Sequence, residues 1–195
     1  GIIFSYPIGI VLALLRRSEL FFLRYLSIIY IELIRGVPLI SLLFMASVMF
    51  PLFLPEGIVI EKLFRAQVAI IMFISAYVAE VVRGGLQSID KGQYEGAKSL
   101  GLNYFQTLRF IILPQALKVV VPPTVNTFIG MFKDTSLVII ISLFDLMYTT
   151  KTSLTDSDWL GFSIEAYFFV AIIYFVICFS MAKYSKKLEG NFHRS

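Results

Sequence analysis

The chain alternates long apolar runs with short charged interruptions, and run length decides which elements they form. A bilayer-spanning helix needs about 20 mostly apolar residues. The run from Ile2 to Leu15 is shorter, ends at Arg16-Arg17-Ser18-Glu19, and opens already apolar at Gly1-Ile2-Ile3-Phe4. That start predicts a first helix whose beginning is missing. A second run extends from Val37 to Leu54, with Pro51, Pro55 and Glu56-Gly57 at its far end. A third covers Ala66 to Val82, a fourth Ala116 to Phe132 and a fifth Phe162 to Ala182. The apolar piece from Leu137 to Met147 carries Asp145 and is too short to cross, which predicts a re-entrant or interfacial segment. The pattern therefore predicts an all-α polytopic membrane protein with about five transmembrane helices. Without an internal repeat or a Gly/Ser/Pro linker, residues 1–195 read as one domain.

Composition supports the membrane over a greasy soluble fold. Hydrophobic residues make up 58% and charged residues 15%, against roughly 45–50% and about 25% in soluble domains. Mean hydropathy is +0.83, so lipid must solvate part of the surface. A net charge of +4 could suggest nucleic acid, but the basic residues are laid out by side. If 16–36, 83–118 and 183–195 share one face, that face holds thirteen of the seventeen Lys and Arg residues. Positive residues concentrate in cytoplasmic loops, so this face is expected to be cytoplasmic, with the C-terminus inside and no nucleic-acid partner. Cys178 is the only cysteine, which leaves no intrachain disulfide to form.

The longest cytoplasmic connection, Arg83 to Lys118, is punctuated like two short helices. Asp90, with Gln93 three residues on, resembles a capping box. The helix would stop at Gly101, where glycine accepts a left-handed conformation. Asn103 and Gln106 repeat the capping signature, and Phe105, Leu108 and Ile112 then form one apolar stripe. Pro114 ends that helix or starts the next. An ordered loop of this length suggests a docking surface, since a connector needs only a few residues. An amphipathic hairpin resting on lipid headgroups is the plainer alternative.

The residues Glu95-Gly96-Ala97, Gly101 and Ile111-Ile112-Leu113-Pro114 resemble the EAA loop of ABC-importer permeases, which reads E-A-A, three residues, G, nine residues, I-x-L-P. Gly96 stands where that motif has its first alanine. Glu32 to Leu39, Ala76 to Gly85 and Lys133 to Leu137 are similar to the polar amino-acid branch of the family, the HisM- and GlnP-like group. The stretch from Thr152 onward, with Trp159-Leu160-Gly161, Cys178-Phe179-Ser180 and Tyr184 to Glu189, looks most like broad-range general L-amino-acid permeases. The resemblance implies a type I ABC-importer permease core in a bacterial inner membrane. It also implies ABC ATPase subunits, an extracytoplasmic amino-acid-binding protein and a second permease, identical or similar, as partners. Glu95, Gly96, Ala97, Gly101, Ile111, Leu113 and Pro114 would couple the membrane helices to the ATPase, which uses ATP and Mg.

The chain itself is expected to bind no cofactor or metal and to catalyse nothing. It has no G-x-x-x-x-G-K-[ST] loop to cradle phosphates, and its sole histidine, His193, sits in the tail, where a surface role is expected. Ionisable groups at membrane depth usually face a bundle interior or water. Lys133-Asp134 with Thr135-Ser136 suggests a broken helix that either touches substrate or neutralises charge within the fold. Asn126, beside Thr124 and Thr127, either bonds a neighbouring helix or lines the pathway. Glu80 and Arg83 predict a helix-end ion pair, and Glu32 with Arg35 a local one. The alternatives in function are an ion-gradient-driven secondary transporter, an ABC permease for another small polar solute, and a membrane scaffold that transports nothing.

Overall fold

The computed structural model describes residues 1–194, and side chains as far as Gly190; the expectation for His193 therefore falls outside the described residues. All elements among them are helical. Helix α1 (Ile2–Leu15) packs against α4 (Lys62–Gln87), the centre of the bundle. Their approach is close because Gly9 has no side chain: a Cβ there would stand 2.6 Å from Val78 Cγ1 and 2.9 Å from the Ser75 carbonyl. Two turns further along α4, Gly85 lets α7 (Leu113–Asp134) in, since a Cβ would collide with Val120. The main core joins Ala13, Ile31, Ile74, Val78, Val82, Leu86, Ile112, Ala116 and Val120 across these helices.

Three helical stretches are long and apolar enough to cross a membrane alone: Lys62–Gln87, Tyr104–Ile141 and Ser163–Gly190. A further crossing can come from Phe21–Gly36 and Leu39–Phe53 taken together, although that pair bends by 102°. The segment 16–36, expected as a loop before the second span, is thus mostly helix α2 (Phe21–Gly36). It stops at Gly36 because Pro38 disfavours helical geometry in Val37, which is extended. Helix α3 (Leu39–Phe44) then rises along α4, with Leu39 and Leu43 against Ala66 and Ala69.

Beyond α3 the chain loosens into π-helical turns at Met45–Met49 and a 3-10 turn at Phe50–Phe53. Pro51 accounts for this, because it offers no N–H to the carbonyl four residues back. That carbonyl belongs to Ser47, and Arg65 donates to it at 2.5 Å. Arg65 is therefore a strut between α4 and the π-helical turns that follow α3.

The last third departs from expectation in two places. The apolar piece 137–147 is not a separate re-entrant segment. Its first part, Thr135–Ile141, continues α7 as a 3-10 helix, with Ile141 buried beside Leu39 and Leu43. Ser142, left-handed at φ 56°, ends it, and Asp145 caps α8 (Leu146–Ser153) by accepting from the Tyr148 N–H at 2.8 Å. The fifth run and the basic tail form one helix, α9 (Ser163–Arg194). Along its apolar length α9 buries little and leans on α7, where Phe132 meets Tyr174 at 5.4 Å.

Candidate coupling hairpin and transport face

Helix α5 (Lys91–Ser99) begins at Asp90, whose carboxylate accepts from the Gly92 N–H at 2.6 Å. The expected partner glutamine does not close a capping box. Gln93 instead accepts from Gln115 Nε2 at 2.9 Å and so ties the two arms of the hairpin together. The far end is a Schellman turn: Gly101 N–H donates to Lys98 O at 3.0 Å and Leu102 N–H to Ala97 O at 3.1 Å. Gly101 carries φ +77°, the conformation that L side chains resist.

The capping box expected at Asn103 is present in full, with Asn103 accepting from Gln106 N–H at 2.9 Å and Gln106 from Asn103 N–H at 3.0 Å. It starts α6 (Tyr104–Gln106), which runs through π-helical turns at Thr107–Ile112 directly into α7. Pro114 starts the next helix, one of the two outcomes expected, without a break in the helical path from the turns before it. It lies near the start of α7, where the wide turns before it absorb its missing donor. The second arm is therefore the near end of a helical stretch from Tyr104 to Ile141, 38 residues long.

The π turns also shift the expected apolar stripe. Ile112 is fully buried and Leu108 packs on the core, but Phe105 points away and is 66% exposed. With Leu100 at 80% and Tyr104 at 73%, it forms an uncovered apolar tip around Gly101. Glu95 and Gly96 are exposed as well, Ala97 is buried, and Ile111 and Leu113 pack against the core. The motif residues thus split into an outward set and an inward set that anchors the hairpin.

Behind the hairpin stands a charge cluster. Glu80 Oε2 accepts from Arg16 at 3.2 Å and lies 3.6 Å from Arg35, while Oε1 pairs with Arg83. The Glu80–Arg83 pair was legible in the sequence; Arg16 and Arg35 were not, because they come from α1 and α2. Glu32 does not pair with Arg35 but with Arg16 at 2.9 Å. Arg35 is also held over the Tyr77 ring, 5.5 Å from its centroid. Beside the cluster, Arg17 reaches Tyr94 of α5, with its Nη1 3.4 Å from the phenol oxygen.

The proposed pathway residues all fall on α7 or just beyond it. The helix does not break at Lys133-Asp134. It tightens into 3-10 geometry as Thr135 and Ser136 hydroxyls donate to Phe132 and Lys133 carbonyls at 2.7 and 2.9 Å. The reversal comes only at Ser142. Asn126 and Lys133, seven residues apart, share one helix face and are both exposed, with Pro123 on the same side. Thr124 lies on the opposite, buried face, beside the start of α1. Thr127 bonds its own helix, donating to Pro123 O at 3.0 Å. Among the described residues no ion pair joins Lys133 to Asp134.

The described residues define a helical bundle with stretches long and apolar enough to cross a membrane and an ordered polar hairpin at one end. More particularly, residues 5–189 match the family described as binding-protein-dependent transport system inner membrane component, and the chain belongs to that family. It is 58% identical over 193 residues to the inner membrane amino-acid ABC transporter permease protein YhdY of Escherichia coli K12, covering 99% of this chain and 53% of YhdY. It is 47% identical over 195 residues to the glutamate/glutamine/aspartate/asparagine permease BztC of Rhodobacter capsulatus, covering 100% of this chain and 45% of BztC. The chain therefore spans about half the length of these two relatives. The probable glutamine permease GlnP of Bacillus subtilis is 38% identical, with 97% and 85% of the two chains covered. Among solved structures, a crystal structure of an amino acid ABC transporter with histidines superposes at a TM-score of 0.87. It is 31% identical, with 97% of this chain and 86% of that one covered.

Proposed function

We propose that this chain is a permease subunit of an ATP-driven importer that carries L-amino acids, over a broad range, from an extracytoplasmic binding protein across a bacterial inner membrane. The observation that carries the reading is the hairpin: capped at both helix starts, turned at Gly101, bare at its apolar tip and continuous with a spanning helix. In this reading the hairpin and the C-terminus face the cytoplasm. Leu100, Tyr104 and Phe105 enter a groove on an ATPase subunit, and Glu95 offers a carboxylate to a basic or amide group beside it. ATP and Mg stay with that subunit.

Coupling then follows from stiffness. At 1.5 Å per residue the stretch Tyr104–Ile141 is about 57 Å long, nearly twice the ~30 Å hydrocarbon core. An ATPase that moves the tip swings the whole lever, including the face that carries Asn126 and Lys133, with Thr135 exposed on another side. Asp134 and Ser136 flank that face, half-exposed. A second permease copy or a similar permease would close the pathway opposite it, since within one chain this face is uncovered. Matches to amino-acid permeases along 97–100% of the chain support the solute class.

A photo-crosslinking residue in place of Phe105 tests the docking step in the assembled complex. The expected product is an adduct with the ATPase subunit whose yield changes when ATP is bound. Labelling of lipid alone would refute it.

A further inference from the structure

We propose that a second site in this chain, a cavity of about 420 Å³ lined by Arg16, Arg17, Arg24, Ile28, Arg83 and Gln87, binds the phosphate headgroup of an anionic membrane lipid. The cavity lies where the end of α1, the start of α2 and the end of α4 converge, on the hairpin's side of the bundle. A general bias of positive charge toward one face would scatter these arginines over the surface. Here four guanidinium groups are turned onto one cavity.

Their charge is only partly compensated. Glu80 and Glu32 serve Arg16, Arg35 and Arg83, so two carboxylates face three arginines before the rest of the cavity is considered. Arg17 and Arg24 have no carboxylate within salt-bridge distance among the described residues, and neither does Glu19, in the following turn, pair with either. Arg17 and Arg24 therefore leave excess positive charge at the cavity, which an anion there would offset. Arginine presents its donors as a planar fork suited to phosphate oxygens, and Gln87 adds an amide. Basic pockets between membrane helices suit anionic headgroups for this reason.

The apolar surroundings select a lipid over a free anion. Leu20, just before α2, and Phe21, its first residue, lie about one turn ahead of Arg24 and are 64% and 73% exposed. Phe22 is equally bare, and Phe21 packs on Tyr25 with ring centroids 4.3 Å apart and planes tilted by 41°. These side chains give acyl chains a surface beside the headgroup site. A bound lipid would brace α2 against α1 and α4 next to the Arg17–Tyr94 contact with the hairpin. The proposal needs only that the chain resides in a membrane, so a failure of amino-acid uptake leaves it standing.

Thermal unfolding of the full permease in neutral detergent, with short-chain phosphatidylglycerol, short-chain phosphatidylcholine or inorganic phosphate added, tests the site. Phosphatidylglycerol alone is expected to raise the midpoint. An equal rise with phosphatidylcholine, or with inorganic phosphate, would overturn the lipid assignment, the first for want of charge selectivity and the second in favour of a free anion. The double substitution Arg17→Gln, Arg24→Gln, which leaves the Glu80 cluster intact, should weaken phosphatidylglycerol binding roughly thirtyfold, from ~1 kcal/mol per surface arginine and ~1.4 kcal/mol per tenfold. Undiminished binding in that variant would place the lipid elsewhere and refute the site. The lipid comparison on the unaltered protein stays decisive even where the variant fails to fold.

Discussion

Replacing Gly101 by valine should leave a protein that inserts and folds yet has lost most ATP-driven transport. The cost is conformational. A left-handed backbone penalises an L side chain by roughly 1–2 kcal/mol, and β-branching makes it worse. No atom lies within 4 Å of a Cβ built at Gly101, so crowding contributes nothing. What is lost is the Schellman turn that sets the angle between α5 and α6 and hence the shape of the exposed tip. Uptake should fall to about a tenth or less, the equivalent of ~1.4 kcal/mol. Gly101→Asn should retain far more, because asparagine visits this conformation readily. Gly96→Ala, on an open helix face, should be tolerated and even help, as alanine is the better helix former by about 1 kcal/mol. Uptake rates of the three variants, normalised to permease in the membrane, give the comparison.

Glu80→Gln should be the most destabilising single polar change in the bundle. Three arginines converge on this carboxylate, and the glutamine would leave Arg35 and Arg83 with no carboxylate within salt-bridge distance among the described residues. Removing one partner of a buried charge pair costs about 3–5 kcal/mol. Glu80 is still 20% exposed, so water screens part of that and about 2–3 kcal/mol is expected. At roughly 2–4 °C per kcal/mol for a chain of this size, the unfolding midpoint in detergent should fall by roughly 5–10 °C. Glu32, with 55% of its side chain exposed and one arginine partner, should cost under about 1 kcal/mol when made Gln. Equal effects at the two positions would mean that the cluster is an ordinary surface network.

Both residues show what local pattern can and cannot reveal. The hairpin was readable because helix caps and glycine turns act over three to five residues, so Asp90, Gly101 and Asn103 announce themselves in order. Spans three to five were readable from apolar length alone. The Glu80 cluster was visible only as its i, i+3 pair with Arg83, since Arg16 is 64 residues away and no period links them. The same limit hid the bend between α2 and α3, where a helix continuing the apolar pattern turns through 102°. Pro51 and Pro114 do stand near helix boundaries, but the π and 3-10 turns around them were not read from the sequence. The small residues Gly9 and Gly85 carry no pattern of their own. Only the packing of α1 and α7 on α4 gives them meaning.

The central claim is that energy enters this membrane bundle through the hairpin from a nucleotide-hydrolysing partner. It is tested most directly by uptake of labelled L-amino acids into proteoliposomes that contain the full-length permease with its binding protein, with and without the ATPase subunits. The account predicts accumulation only when the ATPase and ATP are both present, and its loss in the Gly101→Val protein. Accumulation without ATPase subunits, driven by an ion gradient and indifferent to Gly101, would contradict it.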